Sequence, residues 1–112
     1  MSSQIDMNTY NTLKESAGAD FIGDLTDTFL DDSINLIAQM RSALADKNSE
    51  VFRRAAHSMK SNAATFGAME LSTLAKELEN LGRENNLEIG DRLDVLEEVF
   101  HQVENQLRAL KS

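Results

Sequence analysis

The chain has 112 residues, which suits a single domain over 1–112, and 41% of them are apolar, which is enough for a folded core. A formal net charge of -8 argues against broad nucleic-acid binding, which requires a basic surface. There is no cysteine, so disulfides and thiolate chemistry are excluded. No apolar run approaches the roughly 18 residues of a membrane span, and no secretory signal is visible, so we expect a cytoplasmic protein without a membrane segment.

Apolar residues that recur at intervals of three and four predict five helical segments. They span about residues 6–16, 20–46, 49–66, 69–84 and 90–110. Proline is absent, so nothing interrupts them from within. Either Asn48 or Ser49 is expected to cap the third segment, and Gly67 to end it. Since short connections make sequential helices antiparallel neighbours, we expect an all-α fold: an antiparallel up-down four-helix bundle with a short extra N-terminal helix.

The third segment gathers cations around His57 in an otherwise acidic chain. At about 100° per residue, five polar or small residues lie within roughly 60° of it: Arg53, Arg54, Lys60, Ser61 and Ala64. The apolar side chains lie beyond about 120°: Phe52, Ala55, Met59, Ala63 and Phe66. This phase disfavours a core histidine, although an ordinary surface histidine stays possible. An exposed imidazole with small neighbours is a nucleophile that can take a phosphoryl group, whose charge Lys60 would balance.

A second residue follows from the need to hold the ring in one tautomer. If one nitrogen attacks, the other must carry the proton and donate it to an acceptor. His57 is ten residues before Gly67 and Glu79 is twelve after it, so in an antiparallel hairpin they lie about 15 and 18 Å from the turn. Glu79 also follows the core position Leu78. We therefore predict that Glu79 orients the imidazole, with an exposed helix carboxylate as the alternative.

These residues carry a family resemblance. The stretch AAHSMKSNAATFGAMELSTLAKELEN resembles the core of histidine-containing phosphotransfer (HPt) domains of two-component phosphorelays. The family pattern is met, over about residues 5–110, by His57, Met59, Lys60, Ser61, Phe66 and Gly67, then by Leu71, Leu74 and Leu78, with Phe29 and Leu30 upstream. Three positions depart from the commonest pattern. Ser61 stands where many members have Gly, Asn62 where Ser is common, and Glu79 where many phosphorelay members have Gln.

The resemblance implies a function. His57 would accept a phosphoryl group from a receiver-domain aspartyl-phosphate and pass it to another receiver. The implied partners are response-regulator receiver domains and a hybrid sensor histidine kinase, and the implied protein is a monomer. Mg²⁺ would belong to the receiver, with no cofactor on this chain. No nucleotide-binding glycine pattern is present, so neither ATP binding nor autokinase activity is expected. The resemblance also suggests receiver-docking candidates around the histidine: Phe29, Leu30, Ile34, Ile37, Ser61, Ala64 and Thr65. Arg53 and Arg54 would either balance a bound phosphoryl group or pair with acidic groups on a docked receiver or on neighbouring helices, and the sequence leaves these roles open.

Two other readings compete with phosphotransfer. Glu98 and His101 match the Glu-x-x-His spacing of di-iron bundles, but residue 54, three before His57, is arginine, so the second motif is missing. The other reading is a non-catalytic helical adaptor that binds a receiver or kinase. Of the two histidines, His57 is the expected phosphoryl acceptor, because the glutamates near His101 would repel a phosphoryl group. Whether the chain is a separate protein or one domain of a larger one stays open.

Overall fold

The structure, a computed structural model, describes residues 4–111, which form five α-helices. They are α1 (Met7–Ala17), α2 (Ile22–Asp46), α3 (Ser49–Thr65), α4 (Met69–Arg83) and α5 (Arg92–Lys111). Each lies within two residues of a segment predicted from the sequence. Helix α3 packs against α2 and α4, and α5 packs against α4 and α2, which closes a ring of four. The short helix α1 lies against α2 and α3, so the predicted fold class is confirmed.

Local side-chain chemistry sets the ends of α3. Asn48 is its N-cap, and the side-chain oxygen of Asn48 accepts from the Val51 N–H at 3.1 Å. Ser49 is the first helical residue, so Asn48 is the N-cap of the two residues predicted for that position. Gly67 follows α3 with φ +80°, in the left-handed region that favours glycine. A Cβ at Gly67 would stand 2.7 Å from the Asp6 carbonyl oxygen, so the turn also leaves room for the start of α1.

The core lies inside the ring of four helices. In α3 the side opposite His57 is buried as predicted, including Phe52 and Met59. In α4 and α5 the buried side chains recur at intervals of three and four: Leu71, Ala75, Leu78, Leu96, Phe100, Val103 and Leu107. Leu25 of α2 and Leu110 of α5 follow the same spacing of three and four but are exposed. Across residues 4–111, none of the helices combines the length and apolar composition that crossing a bilayer requires.

Candidate functional site around His57

His57 stands on the outward side of α3, and 54% of its side chain is exposed. Behind it, the neighbouring residue Ala56 and the opposite-face residue Met59 are buried. The predicted helical phase of His57 is therefore confirmed. The ring is accessible to a partner while its backbone belongs to the most extensive helix pair of the bundle, α3 with α4.

Glu79 of α4 contacts the ring from the core side. Its side chain is only 3% exposed, and its Oε2 lies 2.7 Å from Nδ1 of His57. An ionised carboxylate can only accept a hydrogen bond, so Nδ1 must carry the hydrogen and donate it. In the neutral ring, Nε2 then keeps its lone pair. This geometry places Glu79 at the position expected of a residue that orients the imidazole.

The ionisation of Glu79 is set by two opposing effects. Burial acts to raise the pKa of the Glu79 carboxyl, but hydrogen bonds from Lys60 and His57 outweigh burial and lower its pKa below the usual value. The carboxyl is therefore ionised at neutral pH, as the acceptor role requires. A buried carboxylate of this kind is tolerated because cationic donors surround it.

Two cations besides the imidazole hold Glu79. Lys60 places its Nζ 2.7 Å from Oε1, and Arg83 places Nη2 3.2 Å from Oε2. The Lys60 ammonium therefore balances the Glu79 carboxylate in this unphosphorylated chain, and its predicted role toward a phosphoryl group stays a prediction. Arg83 was not predicted from the sequence. The available signal was its spacing of four residues from Glu79 on one helix, which favours an ion pair.

The two arginines before His57 are paired within their own helix. Arg53 Nη2 lies 2.6 Å from Glu50 Oε1, and Arg54 Nε lies 3.8 Å from the same oxygen. The sequence left the partners of these arginines open, and in the structure both guanidiniums lie beside Glu50 of their own helix. Both exposed pairs are of a kind that contributes little to stability, so a partner can recruit either arginine at small cost.

A shallow groove runs beside His57 between α2 and α3, on the side of α3 away from Glu79. We call it the α2–α3 groove. One end is lined by Gln39, Arg54 and Ser58, the middle by Asp32 and Asn62. The other end is a mostly apolar depression of about 150 Å³ lined by Leu25, Thr28, Phe29, Asp32, Asn62, Thr65 and Phe66. Of these lining residues, only Arg54, Phe29 and Thr65 were predicted as docking residues.

The docking prediction is corrected at several positions of α2. Leu30 and Ile37 are core residues, 2% and 5% exposed, so they cannot contact a partner. Phe29 is also buried, its ring stacked on Phe66 with centroids 4.7 Å apart, although its edge lines the groove. Ile34 is exposed but lies two turns before Arg41 on the side of α2 that faces α5, away from His57.

The remaining docking candidates lie on α3 itself. Ser61 and Thr65 are exposed and Ala64 is half-buried, all within two turns of His57. The small Ser61 and Ala64 leave the approach to the ring open on this side. These three residues and the α2–α3 groove together form the accessible surface next to the histidine.

The second histidine has different surroundings. His101 Nδ1 lies 3.3 Å from Glu104, and Nε2 lies 3.7 Å from Glu97, so both ring nitrogens face carboxylates. Among residues 4–111, no cluster of three His, Cys, Asp or Glu side chains could hold a metal ion, so the di-iron reading finds no support there.

Comparisons with known proteins agree with this geometry. A solved structure, the histidine-containing phosphotransfer protein B (HptB) from Pseudomonas aeruginosa PAO1, is similar to this chain with a TM-score of 0.90 and 25% sequence identity. The match covers 99% of this chain and 96% of that one. No curated protein matches significantly. The family model of the Hpt domain matches residues 24–112, which is more than half of the chain. The chain therefore belongs to the Hpt domain family, the histidine-containing phosphotransfer modules of phosphorelays.

Proposed function

We propose that this Hpt domain is a phosphorelay intermediate. His57 accepts a phosphoryl group from the aspartyl-phosphate of one receiver domain and gives it to a second receiver. The observation that supports the proposal most is the 2.7 Å contact between Nδ1 of the half-exposed His57 ring and the buried Glu79 carboxylate. It makes Nε2 the nucleophile and holds it at an accessible surface.

No proton leaves the His57 ring during phosphoryl transfer. The Nε2 lone pair attacks phosphorus, an N–P bond forms, and the P–O bond to the aspartate breaks, so the electron pair stays on the aspartate carboxylate. The phosphorylated ring keeps its Nδ1 hydrogen and gains positive charge, which the Glu79 carboxylate stabilises. Lys60, beside Glu79, supplies a cation near the phosphoryl group. Transfer to the second receiver is the reverse reaction with a different aspartate.

The remaining components belong to the partner. The receiver supplies Mg²⁺ and the groups that surround phosphorus, and this chain supplies an oriented nucleophile without a cofactor of its own. We propose that the receiver docks over the α2–α3 groove and the exposed residues Ser61 and Thr65, with a hybrid sensor histidine kinase as the upstream source. The domain acts as a monomer in the cytoplasm and does not use ATP itself.

Label transfer tests the proposal. The protein is mixed with a panel of Mg²⁺-loaded receiver domains that carry ³²P-labelled aspartyl-phosphate. We expect acid-labile, base-stable label on the wild type and on His101→Gln, and none on His57→Gln. Label that persists on His57→Gln contradicts the site. Stable binding of a receiver with no label on the wild type identifies the non-catalytic adaptor instead.

A further inference from the structure

One glycine of α4 lies at a close approach to α3. Gly82 is buried, and an ideal Cβ built there would lie 3.1 Å from each of three atoms: Arg53 Cα, Arg53 Cβ and Phe52 Cδ2. Contacts this short are tighter than nine in ten real Cβ contacts, and one of the three atoms, Arg53 Cα, belongs to the α3 backbone. An added Cβ would therefore require the α3 side of the contact, or the separation of α3 and α4, to give by a few tenths of an ångström.

The backbone of α4 does not explain this glycine. Gly82 is not among the residues with positive φ, and the left-handed residue that ends α4 is Asn85, with φ 58°. Asn85 donates its N–H to the Gly82 carbonyl and Asn86 donates to Leu81, the usual pattern of a helix end built around Asn85. Alanine is a better helix former than glycine at such a helical position. The close approach to α3 is what requires the missing side chain.

The close approach lies beside the functional pair. Arg53 is one turn before His57 on α3, and Glu79 is three residues before Gly82 on α4. On the other side of the pair, the Ser72 hydroxyl of α4 donates to the Lys60 carbonyl of α3 at 2.9 Å. The separation of α3 and α4 is thus fixed on both sides of the 2.7 Å contact between His57 and Glu79.

We propose that Gly82 is a positioning residue for phosphotransfer: by letting α4 approach α3 at Arg53, it sets the helix separation at which Glu79 holds the His57 ring. The inference rests on the proposed function for its kinetic consequence, but its structural consequence is independent of it. Gly82→Ala should displace α4 by a few tenths of an ångström, loosen the hydrogen bond at Nδ1 and slow transfer by about tenfold.

Two readouts test the proposal. The first is the tautomer of His57, read from ¹⁵N shifts of the imidazole by NMR without any partner. Wild type should show hydrogen on Nδ1, and Gly82→Ala should shift toward a mixture of tautomers. The second is the single-turnover transfer rate at saturating phosphorylated receiver. A wild type that shows the Nδ1 tautomer but accepts no phosphoryl group contradicts the proposed function while leaving the role of Gly82 in the tautomer testable.

Matched controls separate positioning from general destabilisation. Gly90→Ala makes the same chemical change where a Cβ would meet nothing within 4 Å, and Val103→Ala weakens the core in α5, away from the site. Both should keep the wild-type tautomer and rate. If Gly82→Ala is unfolded, the spectra are taken in trimethylamine N-oxide, which favours the folded state. A wild-type tautomer and a rate within about twofold in folded Gly82→Ala would overturn the proposal.

Discussion

Removing the Glu79 carboxylate is the sharpest perturbation of the site. In Glu79→Ala, Nδ1 of His57 loses the acceptor that stands 2.7 Å away, and Lys60 and Arg83 lose their shared anion. The ring is then free to place its hydrogen on either nitrogen. A ring with hydrogen on Nε2 cannot attack phosphorus through that nitrogen, and a ring that does attack lacks a counter-charge for the positive product.

The size of the effect follows from the type of hydrogen bond. A bond to a charged group contributes about 1.5 to 3 kcal/mol. Half of the His57 ring is exposed to water, so we take about 2 kcal/mol within that range. If the whole bond is expressed in the transition state, at about 1.4 kcal/mol for each factor of ten, transfer slows by about 30-fold.

The assay is single-turnover transfer from saturating phosphorylated receiver, so that docking does not limit the rate. Glu79→Gln is the matched control, since its amide oxygen can still accept from Nδ1–H, and we expect it to stay within about fivefold of wild type. Circular dichroism checks that both variants are folded. Wild-type transfer by folded Glu79→Ala, or an unchanged Nδ1 tautomer in its NMR spectrum, would refute the role assigned to this carboxylate.

Three further results are expected. Gly67→Ala should lower the free energy of unfolding in urea titrations by more than about 2 kcal/mol, since φ +80° is strained for alanine and the Cβ would meet the Asp6 carbonyl oxygen at 2.7 Å. Gly90→Ala is also strained, at φ +62°, but its Cβ meets nothing within 4 Å, so it should cost less, about 1 to 2 kcal/mol. The pKa of the Glu79 carboxyl is lowered in the folded state, so its ionisation stabilises the fold at pH values above the usual pKa of 4.5. The difference in free energy of unfolding between wild type and Glu79→Gln should therefore shrink as the pH falls below about 5. A difference that grows contradicts this sign. Lys60→Met should slow single-turnover transfer by about tenfold without abolishing it, because Arg83 still contacts Glu79; an unchanged rate removes Lys60 from the site.

Most of the fold could be predicted because it depends on local patterns. Apolar spacing located the five helices, and Asn48 and Gly67 supplied a helix start and a helix stop. The outward phase of His57 followed from counting along one helix. The contact with Glu79 followed from counting across one short hairpin, because α3 and α4 are adjacent and antiparallel.

The errors concern α2, whose side chains have several different surroundings. The helix packs against α3, α5 and α1 as well as covering the core, so an apolar residue of α2 can lie in the core or beside any of these helices. The family resemblance assigned Leu30 and Ile37 to docking, but the fold places them in the core. Ile34 is exposed on the α5 side. Periodicity separates inside from outside, and it does not specify which neighbour an outward residue lies beside.

The details of the site needed side-chain geometry. The predicted role of Lys60 toward a phosphoryl group stays a prediction, and the contact of its ammonium with Glu79 at 2.7 Å was not predicted. The sequence gives no direction for a long flexible side chain that can reach either location. The close approach at Gly82 was also invisible, since a glycine near the end of a helix is commonly a terminator. In the structure the left-handed residue at the end of α4 is Asn85, so terminating the helix is not what requires glycine at position 82.

The most direct test of the account is to identify the nitrogen that carries phosphorus. The protein, labelled with ¹⁵N in its histidines, is phosphorylated by a productive Mg²⁺-loaded receiver and examined by ³¹P and ¹⁵N NMR. We predict one phosphohistidine, at His57, with phosphorus bonded to Nε2 and hydrogen retained on Nδ1. Phosphorus on Nδ1 of His57, or on either nitrogen of His101, would contradict the account.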